Sequence, residues 1–103
     1  MSPPPALHLL LAAPPGAPGL AQLLERAAAA AATGGFRILL TGEGLAWAEQ
    51  ALPVGADVAV CSRNARDAGW SAARTPQGVR WSSVATWLAE IEAAGEPLWV
   101  GLP

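Results

Sequence analysis

Short, nearly unbroken apolar runs alternate along this chain with longer segments whose apolar residues recur at helical spacing, and few folds accommodate that alternation. "ALHLLLA" (Ala6 to Ala12), "FRILLT" (Phe36 to Thr41), "DVAVC" (Asp57 to Cys61) and "PLWVGL" (Pro97 to Leu102) read as strands, and the weaker "GVRW" as a further one. A strand that is apolar along its whole length is covered on both faces, as in a parallel sheet between helical layers. Pro97 is tolerable at a strand start.

The segments between the runs read mainly as helices. Leu20, Leu23, Leu24, Ala27 and Ala31 share one helical face between Leu20 and about Thr33, and Gly34-Gly35 supply the stop. "GEGLAWAEQAL" predicts a turn leading into a short helix that ends before Pro53. Ser62 is expected to cap the helix after the third strand. Ala72 to Gln77 reads as an exposed loop, after which Ser82 or Ser83 opens a helix with Val84, Trp87, Leu88 and Ile91 inward and Glu90 and Glu92 outward. Gly95 ends it.

The expectation is one domain over residues 1–103, an α/β fold with a three-layer α/β/α sandwich and a mainly parallel five-stranded sheet. Right-handed crossovers put every strand-to-helix turn on the carboxyl edge of the sheet, where open α/β sheets hold ligands. Three segments should meet there: the Pro/Gly loop at Pro14 to Gly19, the Thr41-Gly42-Glu43-Gly44 turn, and Cys61-Ser62-Arg63.

Composition narrows the function classes. Charged residues are 14% of the chain, against about 25% in typical domains, so part of the surface is expected to be covered by other subunits. An Ala-rich, Arg-only composition drifting with genome base content is the bland alternative. A net charge of −2 and six scattered arginines, with no lysine, lack the footprint of a nucleic-acid binder. The opening "MSPPPALHLLLAAPP" has no basic region and is broken by proline, so neither a signal peptide nor a membrane span is expected, and the location implied is the cytoplasm. One cysteine and one histidine allow neither an internal disulfide nor a metal-ligand cluster. No cofactor is implied.

The single cysteine lies in "VAVCSRNARDAGW", where a strand passes directly into a helix. The helix N-terminus and the nearby Arg63 and Arg66 favour a thiolate, the form that attacks. Against this, Asp67 lies four residues after Arg63 and is placed to pair with it, and a lone cysteine is often a buried, inert small residue. His8, near the start of the first strand, is far from the carboxyl edge and reads as a packed core or interface side chain, which disfavours a Cys-His hydrolase. Thioredoxin-like exchange needs a second cysteine. A reactive Cys61 would accept and hand on a group.

The order of these pieces resembles the DsrE/DsrF/DsrH-like (TusD-like) sulfur relay family. The resemblance rests on the first strand with its Pro/Gly loop and Ala-rich helix, on "ILLTGEGLAWA" with its Gly-acidic-Gly turn, and on "VAVCSRNARDAGW" with cysteine at a strand end before a short helix. It implies trimers or hexamers, homomeric or heteromeric, with sulfur carried as a cysteine persulfide between donor and acceptor proteins. On that reading Cys61 is the persulfide site, Arg63, Arg66 and Ser62 support it, and Gly42, Glu43, Gly44, Pro15 and Gly16 form the rim. The alternative is a non-catalytic assembly or small-ligand-binding subunit of the same fold.

Five tryptophans stand beside one phenylalanine and no tyrosine. Trp87 and Trp99 read as core packing, Trp47 as a subunit contact, and Trp70 as either an interface residue or a wall of the site. Trp81, also at an element end, is a further interface candidate. Glu43 reads as a solvated turn residue in the absence of a paired carboxylate. The proline-rich loop after the first strand is unsuited to cradling phosphate.

Overall fold

The computed structural model describes residues 6–31, 34–50, 52–53 and 55–102. Five strands form one sheet in the order β4-β3-β2-β1-β5, with every neighbouring pair parallel. They are β1 (Leu7–Leu11), β2 (Phe36–Leu40), β3 (Asp57–Cys61), β4 (Val79–Ser82) and β5 (Leu98–Gly101). The helices are α1 (Leu20–Ala30), α2 (Ser62–Asp67) and α3 (Val84–Ala94), with 3-10 helices at Gly42–Glu49 and Ala72–Arg74. The predicted α/β fold is therefore observed, and its sheet is wholly parallel.

The register sorts side chains between two faces. Leu7, Leu9, Leu11, Ile38, Leu40, Val58 and Val60 pack with Leu20, Leu24 and Ala27 of α1, Leu45 and Trp47 of the first 3-10 helix, and Ala65 of α2. On the other face Leu39 and Ala59 pack with Trp87 and Ile91 of α3. The connections from β1 to β4 thus run in one direction over the first face. The return from β4 to β5 crosses the whole sheet over the second, as the right-handed crossover rule requires.

Several expectations change in detail. The short helix expected to end before Pro53 is present over Gly42–Glu49, but it winds as a 3-10 helix from its first residue, without the leading turn expected. Its inward positions recur every three residues, with Gly44 above Trp47 and Leu45 above Ala48, which suits three residues per turn. Gly44 is pressed so close to β1 that a Cβ there would collide with the Leu11 carbonyl. Helix α1 ends at Ala30, and Thr33 lies outside the described residues. The loop at Ala72 to Gln77 is largely exposed, as expected, and contains the short 3-10 turn. Ser83, rather than Ser82, caps α3, its Oγ accepting the Thr86 N–H at 3.1 Å. Leu88, expected to face inward with Trp87 and Ile91, is exposed, and Glu90 reaches back to place Oε2 3.3 Å from Nη2 of Arg37.

The subunit contact expected of Trp47 is corrected. Its ring is buried within the protein, and its indole N–H donates to the Ala13 carbonyl at 2.8 Å. Trp87 is buried, Trp99 packs against the first core, and Trp70 is half-buried against that same core. The half-buried Trp81 donates its N–H to Thr75 Oγ1 at 2.9 Å.

Candidate functional site at the carboxyl edge of β3 and β4

Strand β3 passes into α2 with no intervening residue, so Cys61 is at once the last residue of the strand and the N-cap of the helix. The capping role expected of Ser62 is therefore corrected. Ser62 is the first helical residue and makes no capping hydrogen bond, because the chain turns one position earlier. Beside this junction lies the equivalent one from β4 to α3, since Cys61 and Ser82 are partners in the parallel register. The two helices leave toward opposite faces of the sheet, α2 toward the first core and α3 toward the second.

Neighbouring connections that diverge to opposite faces leave a crevice at the carboxyl ends of their strands, the place where open α/β sheets bind ligands. Here it is an open cleft of about 660 Å³ lined by Cys61, Ser62, Arg63, Asn64 and Asp67 from the first junction and Ser83, Val84 and Ala85 from the second. Cys61 is 8% exposed, so most of the residue is packed while part of it borders the cleft.

Arg63 and Asp67 both line this space, one cation and one carboxylate. Among the described residues no ion pair joins them, so the neutralising contact anticipated from their spacing is not formed. Arg66 is exposed on α2 but does not line the cleft. The Gly-Glu-Gly segment is tied to the site by a hydrogen bond, the Gly42 N–H donating to Asn64 Oδ1 at 2.9 Å. Glu43 is exposed, and Gly44 is buried against β1. Pro15 and Gly16 follow β1, two strands from β3, and are not brought to the cleft. Trp70 is not among its walls.

The sequence reading missed Ser83, Val84 and Ala85 as site residues, along with Asn64. Ser83 stood out as a helix opener, but only the pairing of β3 with β4 sets that opening beside Cys61. Asn64 is one helical turn from the cysteine, and its acceptor oxygen was a signal available in the sequence.

His8 lies at the opposite end of the sheet. It is fully buried, edge-on to Trp87 with ring centroids 5.4 Å apart, and its Nε2 is 2.9 Å from Glu96 Oε1. His8 aligns with Arg37, and Arg37 with Asp57, four residues before Cys61. At about 3.3 Å per residue and about 4.8 Å per strand, roughly 16 Å separates the His8 and Cys61 backbones. Arg80 grips Asp57 on the same face, with Nη2 2.8 Å from Oδ2 and Nε 3.0 Å from Oδ1, and that hydrogen-bonded cation holds the Asp57 carboxyl below its usual range. Among the described residues, no group of three or more His, Cys, Asp and Glu side chains is placed to hold a metal ion, and no helix is long and apolar enough to cross a membrane.

No family model matches the chain, and no curated protein sequence does. Solved structures share its fold. The protein of unknown function MTH1491 from Methanobacterium thermoautotrophicum superposes with a TM-score of 0.75 at 12% identity, covering 94% of this chain and 99% of that one. Protein Tm0979 from Thermotoga maritima superposes with a TM-score of 0.58 at 17% identity, covering 84% of this chain and 92% of that one.

Proposed function

We propose that this protein is a sulfur carrier in which Cys61 holds a persulfide between a donor and an acceptor protein. The observation that carries the reading is the position of Cys61 in the crevice between two diverging strand-to-helix junctions, with Arg63 lining the same space. In the loading step the Cys61 thiolate attacks the outer sulfur of a donor persulfide. An S–S bond forms at Cys61, the donor S–S bond breaks, and the donor thiolate leaves. In the unloading step an acceptor thiolate attacks that outer sulfur and Cys61 departs as thiolate, so one sulfur moves with no net oxidation or reduction. Arg63 supports the anionic sulfur in both steps.

The cleft is open, and among the described residues its charged lining consists of one arginine and one aspartate. That suits the approach of another protein's cysteine-bearing segment better than capture of a highly charged small molecule. A second reading, a non-catalytic assembly subunit of the same fold, is favoured by the near-burial of Cys61. A Cys-His hydrolase lacks support, because the chain's one imidazole is buried at the far end of the sheet.

Intact-mass measurement after incubation with a persulfide donor protein separates the two. The carrier gains one sulfur on Cys61, loses it to an added acceptor thiol, and gains none as Cys61→Ser. An unmodified Cys61 in the folded protein sinks the carrier reading and leaves the assembly subunit.

A further inference from the structure

Asn64 occupies the third helical position of α2, one turn beyond the N-cap Cys61. A side chain at that position reaches back over the N-cap residue, the geometry on which capping boxes rely. Here its oxygen is engaged by a different segment, since Oδ1 accepts the Gly42 N–H at 2.9 Å. Gly42 opens the 3-10 helix that follows β2, and β2 pairs with β3, so the bond ties together the carboxyl ends of two neighbouring strands. A backbone N–H can only donate, which fixes the amide atom that faces Gly42 as the oxygen and turns the NH2 group away from Gly42. Asn64 is half-buried and is also a wall of the cleft that Cys61 borders. Among the described residues nothing accepts from its Nδ2.

The other polar neighbours of the sulfur are less suited to hold an anion. Sγ of Cys61 takes no capping hydrogen bond from the first turn of α2. Ser83 Oγ accepts the Thr86 N–H at 3.1 Å and donates to Thr86 Oγ1 at 2.8 Å, so its hydrogen is committed to the cap of α3. Arg63 lines the cleft but is exposed, and solvent screens its charge. Asn64 combines an uncommitted donor with an orientation fixed from outside the cleft.

We infer that Asn64 is a catalytic residue of the sulfur carrier, its Nδ2–H group donating to the anionic Sγ of Cys61. The inference rests on the carrier reading and adds a residue to it. In loading, the hydrogen bond holds the thiolate as it attacks the outer sulfur of the donor persulfide. In unloading, it receives the charge that returns to Sγ as the S–S bond breaks and the outer sulfur leaves with the acceptor. Asn64 transfers no proton and is unchanged after both steps. A dipole already in place stabilises developing charge without reorganising, and the Gly42 N–H is what sets this one in place. Gly42, which does not line the cleft, thus acts through Asn64.

Two variants of the full chain test this. Asn64→Asp keeps an oxygen for Gly42 but has no N–H to donate, and Asn64→Ala removes the donor without adding charge. Cys61 is alkylated with neutral iodoacetamide across a pH series, and sulfur release from the loaded protein to an acceptor thiol is timed by intact mass, with circular dichroism as the check on folding. Both variants are expected to shift the alkylation profile to higher pH and to slow release about tenfold, the scale of one hydrogen bond to a charged group. The loss in Asn64→Asp should persist in high salt, where a mere charge effect is screened, and that measurement decides the matter if Asn64→Ala disturbs the fold. Wild-type rates in either folded variant, or a loss in Asn64→Asp that salt abolishes, overturns the inference. Alkylation needs no sulfur donor, so a wild-type protein that takes up no sulfur sinks the carrier reading separately, while the profile still reports whether Asn64 donates to the thiolate.

Discussion

Nε2 of His8 lies 2.9 Å from Oε1 of Glu96, joining the start of β1 to the turn that delivers β5. A carboxylate only accepts, so the fully buried imidazole carries its proton on Nε2, and among the described residues Nδ1 has no partner. Glu96→Ala would strand both ring nitrogens and release the Ala6 N–H. Thermal unfolding is expected to fall by several degrees, and by clearly less when the same change is made in a His8→Leu background. Equal losses in the two backgrounds would show that the contact contributes nothing.

Acid should weaken the fold through two carboxylates on the α3 side. Glu96 is held below the usual glutamate range by the His8 hydrogen bond first and the Ala6 N–H second, and Asp57 below its own range chiefly by the Arg80 hydrogen bond. A depressed folded value means that each group's contribution is complete above its unfolded pKa, about 4, and is lost as the pH falls through the folded value. Urea unfolding should therefore show stability nearly flat just above pH ~5 and declining below pH ~4. The Asp57→Asn, Glu96→Gln double variant should show a shallower decline, and an unchanged slope would refute the assignment.

The two glycines of the Gly-Glu-Gly turn should differ sharply on substitution. Gly42 has φ 51° with open space where a Cβ would stand, so Gly42→Ala should cost about 1 kcal/mol of backbone strain. Gly44 abuts the Leu11 carbonyl, which the β1 ladder holds in place, and Gly44→Ala should cost about 3 kcal/mol or prevent folding. Chemical denaturation of the two variants checks the order, and a reversed order would contradict the packing described.

Charge reversal should separate the two arginines that follow Cys61. Arg63 lines the cleft and Arg66 does not. Alkylation of Cys61 by a neutral reagent at fixed pH is expected to slow several-fold in Arg63→Glu and much less in Arg66→Glu. Equal effects would mean that only net helix charge matters.

The strands were legible in the sequence because four of the five are short runs of apolar residues with clear punctuation, and a fully covered strand has no polar face to disguise it. The helices α1 and α3 were legible from spacing, and the C-terminal glycine of α3 marked its end, with Gly95 at φ 64°. The 3-10 winding of Gly42–Glu49 was not, because it follows from the close approach of Gly44 to β1, a contact between segments more than thirty residues apart. For the same reason Trp47 read as a surface anchor. Its burial depends on α1 and Ala13, which nothing next to it in the chain announces.

The sequence alone determined that Cys61 ends a strand at a helix start on the carboxyl edge, since a parallel βα alternation with right-handed crossovers leaves no other place for it. Tertiary structure alone decided what surrounds it. Strand order is set by which surfaces bury one another across the sheet, and no local pattern encodes that. The order β4-β3-β2-β1-β5 sends the last crossover to the second face, puts Ser83 and α3 beside Cys61, sets Pro15 and Gly16 apart from the cleft, and makes β5, an apolar strand by its sequence, an edge strand among the described residues.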